Sequence, residues 1–328
     1  MEANTFDASA YIAVPPETVY AYLGRLQNLD EWTLGSRMVE RVDDDTWIGT
    51  ASGYQRSLTY HVRRLEHPRF FGIEWQCGYD ADRYFKSYPV LLFPQDYLTA
   101  GAGGHGTYLH WVSVIDPVQR TPMIMQGIKT VHQSEIRALK AALERQVGLT
   151  EAAPATWRIE TDTIYIDAPP AMVAEFVGDL RTMAQWSHLL QPQGTVTREH
   201  GSFLDEYRQT VEVTLRTNQL ADYVLVEQDY AHPRFGTLQR SPTLIIPLAH
   251  AFGDPSVPGA LLHRITFWND AALARHGKLG IEDFGAENMN IKRHLEAKAG
   301  NLTSFAKGRS YVPSAAPTRA PKLEIAAR

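Results

Sequence analysis

One stretch near the start of the chain returns 154 residues later, and this repetition constrains the fold more than any other feature. Residues 11–32 read YIAVPPETVYAYLGRLQNLDEW, and residues 165–186 read YIDAPPAMVAEFVGDLRTMAQW. At that constant offset eight positions are identical: Tyr11/Tyr165, Ile12/Ile166, Pro15/Pro169, Pro16/Pro170, Val19/Val173, Gly24/Gly178, Leu26/Leu180 and Trp32/Trp186. Ordinary composition gives roughly one or two matches by chance over such a window. The period exceeds that of solenoid repeats, so each copy is expected to be a whole domain. A length of 328 residues suits two of them.

Each copy carries the same local logic. A short strand (8–14; 161–167) ends at Pro-Pro, and the second proline supplies a φ suited to a first helical turn. An apolar stripe follows at helical spacing: Val19, Tyr22, Leu23 and Leu26, then Val173, Phe176, Val177 and Leu180. The helix is interrupted near Gly24 and Gly178, and a second short helix ends at Trp32 or Trp186. In the first copy aromatic and β-branched runs predict strands over 47–51, 57–64, 70–77, 84–92 and 108–115. A long amphipathic helix is expected from Pro122 to Glu144, with the stripe Ile124, Ile128, Val131, Glu135, Leu139 and Ala142. The second copy predicts strands over 203–215, 223–228, 237–248 and 261–268, and a helix over 280–299. The boundary is expected in GLTEAAPAT, residues 148–156, dividing the chain into domains at 1–147 and 157–304. The Ala- and Pro-containing tail, 305–328, is expected to be disordered.

Composition excludes several classes of partner. A net charge of −5 with no basic cluster argues against nucleic acid and anionic membranes. The single cysteine, Cys77, permits no intramolecular disulfide and no cysteine-based zinc site. No apolar run approaches the ~20 residues that span a bilayer, and residues 1–10 lack the features of a signal peptide. A cytoplasmic location is expected, with a homodimer possible.

Strand, two short helices, a run of strands and a long C-terminal helix is the order of the START/Bet v 1-like (SRPBCC) superfamily. The opening pattern YIxxPPxxVYxYLxxLxNLxEW resembles its polyketide cyclase and aromatase/cyclase branch. The resemblance implies an α+β fold of two tandem helix-grip domains, each a curved antiparallel sheet wrapped around a long C-terminal helix. It is specific for fold and weak for activity, because one fold hosts carriers, cyclases and hydrolases. The tracts NLDEWTLGSRM, DTWIGTASGY, FFGIEWQCG and RTPMIMQGIKTVHQSE are similar, more narrowly, to the cyclase/decarboxylases of scytonemin biosynthesis. That similarity implies ring closure on an indole-bearing β-keto acid, with loss of water and carbon dioxide and with no cofactor. The alternatives are a non-catalytic carrier of a hydrophobic molecule, which predicts an apolar tunnel without convergent titratable groups, a polyketide aromatase/cyclase, and an acyl hydrolase, for which no G-x-S-x-G motif speaks.

In such a fold the pocket lies between sheet and long helix. A dehydrating cyclisation needs an acid at the carbonyl or leaving hydroxyl and a base for a carbon-bound proton. Glu74 sits in the apolar run FFGIEW, where desolvation would raise its pKa as a general acid requires; alternation can equally place it on the solvent face with Phe71, Ile73 and Trp75 inside. His132 and Glu135 lie three apart on one helix face, either as an acid/base pair aimed into the pocket or as a solvent-edge ion pair. Tyr60, Trp75, Tyr84 and Tyr88 are candidates to line the cavity, or plain core. Lys86 alternates with Tyr84 and Tyr88 and could bind a carboxylate. His110, between Leu109 and Trp111, is a candidate contact or a structural histidine, as is His61. In the second copy Glu212, Glu227, His250, His263 and Glu287 stand out, but its strands are more charged and poorer in aromatics, so the first copy is expected to carry the chemistry. Gly101–Gly106 matches G-x-G-x-x-G but precedes a strand, so it reads as a hairpin loop. HPRF recurs at His67 and His232 at an offset of 165, which places it on non-equivalent turns. No metal-ligand spacing appears among the 12 histidines.

Overall fold

The computed structural model describes residues 5–52, 54, 56–80, 83–98, 105–115, 122–148, 157–205, 208–233, 236–268 and 279–300. The glycine run 101–104, most of the expected boundary (149–156) and the tail lie outside these described residues.

The two Pro-Pro sites do what their chemistry dictates. The carbonyl of Pro15 accepts from the amides of Thr18 (3.0 Å) and Val19 (3.1 Å), and Pro169 accepts from Met172 (2.9 Å) and Val173 (3.2 Å). Each starts a short helix, Pro16–Leu23 and Pro170–Val177, with a proline in the first turn. Each helix ends at its glycine, and at Gly178 there is no room for a side chain. Gly24 and Gly178 have ordinary negative φ, but a Cβ at Gly178 would approach the Ala174 carbonyl oxygen to 2.5 Å. A second short helix follows in each copy, Leu29–Trp32 and Met183–Trp186, and buries its tryptophan.

In the first half the strands are β1 (Thr5–Ile12), β2 (Ser36–Arg41), β3 (Thr46–Ala51), β4 (Leu58–Glu66), β5 (Phe71–Asp80), β6 (Arg83–Pro94) and β7 (Thr107–Ile115), followed by the long helix Pro122–Gln146. In the second they are β8 (Arg158–Ile166), β9 (Gln191–Gln193), β10 (His200–Leu204), β11 (Thr210–Leu220), β12 (Tyr223–His232), β13 (Gly236–Pro247) and β14 (Ala260–Trp268), followed by the helix Leu279–Lys298. Each set forms one antiparallel sheet, in the orders β1-β7-β6-β5-β4-β3-β2 and β8-β14-β13-β12-β11-β10-β9. The halves are therefore two tandem helix-grip units of identical topology. Among the described residues no helix is long and apolar enough to cross a membrane.

Two expectations about strands change. The run 203–215 is two strands rather than one: the Asp205 side chain accepts from the Gln209 amide (2.8 Å), and Arg208 takes φ 60°, which turns the chain between β10 and β11. The edge strands β2 and β9 have no apolar alternation to announce them. They read SRMVER and QPQ and are largely exposed, as suits an unpaired sheet edge.

Three apolar cores set the layer order helix, sheet, sheet, helix. One lies between the first sheet and its helix, with Trp32, Ile73, Trp75, Trp111, Ile136 and Leu139. Its counterpart in the second half holds Trp186, Phe203, Val213, Ile291 and Leu295. The third lies between the backs of the two sheets and mixes both halves: Leu91, Phe93, Tyr108, Val112 and Val114 meet Leu225, Leu244, Ile246, Ile265 and Phe267. The rings of Phe93 and Phe267 stand 5.1 Å apart there. β7 and β14 consequently bury every residue on both faces.

Candidate functional site

Strand alternation sends Trp75 and Cys77 of β5, Lys86 and Tyr88 of β6, and Trp111 and Ser113 of β7 toward the first long helix. Of these, Trp75, Cys77, Lys86, Tyr88 and Trp111, with Tyr60 of β4 and Trp32, wall a cavity of about 480 Å³, lined on the helix side by Ile128, Val131, His132 and Glu135. The tryptophans pack on one another, with Trp32 5.7 Å from Trp75 and edge-on to Trp111 at 5.8 Å. The walls are flat and rigid, which suits an aromatic ligand.

His132 is held on three sides. Trp111 stacks on its ring at 4.7 Å, Tyr88 presents an edge at 5.7 Å, and the Ser113 hydroxyl lies 2.9 Å from Nδ1. Burial, reinforced by the Lys86 charge, holds its pKa down to about 3, so the imidazole is neutral near pH 7. Glu135 Oε1 accepts from the Leu34 amide at 2.9 Å. Burial pushes its carboxyl above the ordinary value, against the opposing pull of the Leu34 and Gly35 amides and of Lys86. His132 Nε2 and Glu135 Oε2 are 4.0 Å apart; with a neutral ring they are two facing polar groups rather than an ion pair. The Lys86 ammonium sits 4.5 Å over the ring of Tyr54 at the same wall. The Tyr60 hydroxyl donates toward the Thr50 carbonyl (3.2 Å), and the Trp75 indole donates to the Leu23 carbonyl (3.1 Å), which fixes both rings.

Of the residues singled out in the sequence, His132, Glu135, Tyr60, Trp75, Lys86 and Tyr88 thus meet around one cavity. Tyr84 lies on β6, and its side chain falls outside the described residues. His61 is away from the cavity, 3.2 Å from the Thr46 hydroxyl. Trp111 and Tyr54 line the cavity and Ser113 stands behind His132, and the sequence singled out none of the three.

Glu74 and His110 do not face the cavity, which corrects the expectation for both. Ile73 and Trp75 point inward as alternation allows, and Glu74 points the other way. That face is covered by the second half rather than by water, and Glu74 is fully buried. It accepts from Arg63 (2.5 Å), Gln76 (2.9 Å) and Ser87 (2.8 Å) of its own sheet. From the other half it meets the Tyr223 hydroxyl and His250 Nε2, the latter at 2.9 Å. Burial works to raise the carboxyl, but His250, Arg63 and Tyr223 outweigh it and hold it below its ordinary value. That is the opposite of what a general acid needs. Glu227 is its counterpart, buried on β12 and bound by Arg69 and Tyr97 of the first half, with its pKa down at about 2 because His67, Tyr97 and Arg69 overcome burial. His110 Nε2 lies 2.7 Å from His263 Nε2 across the same interface, with Ser9 and Thr163 hydroxyls on the two Nδ1 atoms (2.7 and 2.6 Å). One of the two Nε2 atoms must donate and the other accept.

The same place in the second half is built differently. Trp111 stands opposite Ala8, and Arg264 stands opposite Asp162, the repeat equivalent of Ala8. Where Trp111 walls the first cavity, Arg264 reaches Glu287 at 2.8 Å, with both side chains buried, and lies 5.3 Å over the Trp186 ring. Glu287 also accepts from the Ser187 hydroxyl. The second helix's inward carboxylate is thus neutralised by a guanidinium, whereas Glu135 faces a neutral histidine. Glu212, on β11, pairs with Ser202 (2.7 Å) of its own sheet.

A family model described as a domain of unknown function, DUF8713, matches twice, at residues 1–152 and 159–304. No curated protein matches. Among solved structures, the di-domain ARO/CYC BexL from the BE-7585A biosynthetic pathway is 17% identical, over 94% of this chain and 99% of that one, with a TM-score of 0.32. The di-domain ARO/CYC StfQ from the steffimycin biosynthetic pathway is 11% identical, over 90% and 99%, at 0.31. A START superfamily protein from Mycobacterium smegmatis is 13% identical, over 43% of this chain and 98% of its own, at 0.32.

Proposed function

The chain belongs, in both of its halves, to the family described as a domain of unknown function, DUF8713, and from the chemistry of its first cavity we propose that it is a cofactor-independent cyclase of an aromatic, ketone-bearing acid. The observation that carries this reading is a carboxyl with a raised pKa, Glu135, facing a neutral histidine across 4.0 Å inside a cavity walled by tryptophan and tyrosine rings. A carrier needs the rings but not the acid. The Arg264–Glu287 pair at the equivalent place in the second half supports assigning the reaction to the first.

The residues can divide the work as follows. The substrate's flat rings lie against Trp75 and Trp111, and its carboxylate is drawn to the Lys86 ammonium. A ring carbon attacks the ketone carbon. The new C–C bond forms, the carbonyl π pair moves to oxygen, and Glu135 in its acid form delivers a proton there. The Glu135 carboxylate so formed accepts the proton lost from the attacking ring carbon. Glu135 passes that proton on to the new hydroxyl, the C–O bond breaks with water as the leaving group, and the substrate carboxylate leaves as carbon dioxide, its bonding pair forming the carbon–carbon double bond; Glu135 is then reprotonated from solvent. No oxidant or reductant is consumed. In its narrower form the substrate is an indole-bearing β-keto acid, as the sequence resemblance implies.

Turnover of a synthetic indole-bearing β-keto acid, followed by mass spectrometry for ring closure and carbon dioxide, tests this. Wild type should form product, and Glu135→Gln should lose at least about 10²-fold. Saturable binding of indoles with no product from wild type would overturn the catalytic reading in favour of a carrier.

A further inference from the structure

The environment of His132 contains a residue that the mechanism above does not use. Ser113 lies on β7 two residues beyond Trp111, so both side chains lie on the helix-facing side of the sheet, with Ser113 behind the His132 ring. It is 2% exposed, and its Oγ is 2.9 Å from His132 Nδ1. A buried hydroxyl must place its own hydrogen somewhere. Among the described residues the acceptor it meets is Nδ1. In the reverse arrangement, with Nδ1–H donating to Oγ, the hydroxyl hydrogen would be left without an acceptor. The hydroxyl therefore donates, Nδ1 is the bare nitrogen, and the ring proton sits on Nε2.

Nε2 is the atom that looks across the 4.0 Å gap at Glu135 Oε2. That separation is too long for a direct hydrogen bond, yet one oxygen atom placed about 2.8 Å from each closes the triangle. We propose that Ser113 is a positioning residue for His132, fixing the Nε2–H tautomer so that this N–H and the Glu135 carboxyl together hold a single substrate oxygen. Resting on the cyclase reading, this names that oxygen as the ketone oxygen, which receives two donors while negative charge develops on it. Trp111 and Tyr88 fix the plane of the ring, and Ser113 fixes which nitrogen points into the cavity.

The tautomer can be read without turnover. Long-range ¹H–¹⁵N correlation on the histidine-labelled full chain, with His132→Gln to assign the signals, should show Nδ1 unprotonated and Nε2 protonated. Ser113→Ala should give a mixed tautomer, and Ser113→Thr, which keeps the hydroxyl, should restore the pure one. In the cyclisation assay Ser113→Ala should lower kcat about 10-fold or more with KM changed less than about twofold, because the second donor acts mainly on the developing charge. A wild-type spectrum with Nδ1 protonated, or a tautomer unmoved by Ser113→Ala, would overturn the assignment. Should wild type form no cyclic product, the cyclase reading fails separately, and the spectra still decide the Ser113–His132 pair.

Discussion

Replacing Glu74 by glutamine separates the two halves of this chain's chemistry, the cavity and the interface behind it. The side chain is fully buried and receives hydrogen bonds from Arg63, Gln76, Ser87, Tyr223 and His250. Glutamine keeps the shape, removes the charge that balances Arg63, and turns an NH2 toward a ring of donors. Breaking a buried charge pair by removing one partner costs about 3–5 kcal/mol, and hydrogen bonds to a charged group are each worth roughly 1.5–3 kcal/mol. Because Arg63 is partly exposed and keeps Asp222 at 2.5 Å, the lower end applies, about 3 kcal/mol. That is roughly two orders of magnitude in the unfolding equilibrium. Urea denaturation followed by tryptophan fluorescence measures it. The same protein below its transition should bind aromatic probes and turn over as wild type does, because Glu74 points away from the cavity. Glu135→Gln should do the reverse, retaining stability to within about 1 kcal/mol while losing turnover. The reasoning is refuted if Glu74→Gln is as stable as wild type, or if it abolishes turnover at undiminished stability.

Acid should weaken the fold well above the range where carboxylates titrate. His110 and His132 are both held down to about 3, chiefly by burial, and His263 is lowered too. The unfolded chain therefore binds more protons between about pH 3 and the ordinary histidine pKa near 6.5, and stability falls as pH drops through that window, at roughly 1 kcal/mol per group per pH unit. Unfolding free energies from urea titrations at pH 7.5 and pH 5 should differ by several kcal/mol, and equal values would contradict neutral buried rings. In the second half, Arg264→Ala strands the Glu287 carboxylate and should cost about 3–5 kcal/mol, whereas the pair Arg264→Met with Glu287→Leu should be close to neutral; a denaturation series in which the double variant is the worse of the two would refute this account of the buried pair.

Much of this architecture is written in local pattern. Pro-Pro followed by an apolar stripe starts both first helices, and the three-residue spacing of His132 and Glu135 on a striped helix suffices to put them on one face. Glu74 shows where such reading stops. Alternation in FFGIEW correctly divides the faces of β5, but it cannot say that a second sheet, rather than water, covers the far one. A signal for that cover did exist. Residues 108–115, YLHWVSVI, and 261–268, LLHRITFW, are apolar on both faces, as only strands buried on both sides are. The edge strands β2 and β9 carry no apolar pattern because they bury little, so nothing in their composition marks them.

The core shared by the backs of the sheets has a consequence for how the duplication should be regarded. Leu91, Phe93, Val112 and Val114 are buried by residues that belong to the other half, and so in return are Leu244, Ile246 and Phe267. Cut apart at the boundary, each half would present this apolar face to water; Glu74 would keep Arg63 but lose Tyr223 and His250, and Glu227 would lose its cationic partner Arg69. Separated halves of that kind stick to one another or precipitate. The repeat is thus a unit of shape but not a portable module: with this core shared, the chain is expected to unfold in one transition, and a fragment carrying only the first cavity is expected to lose it.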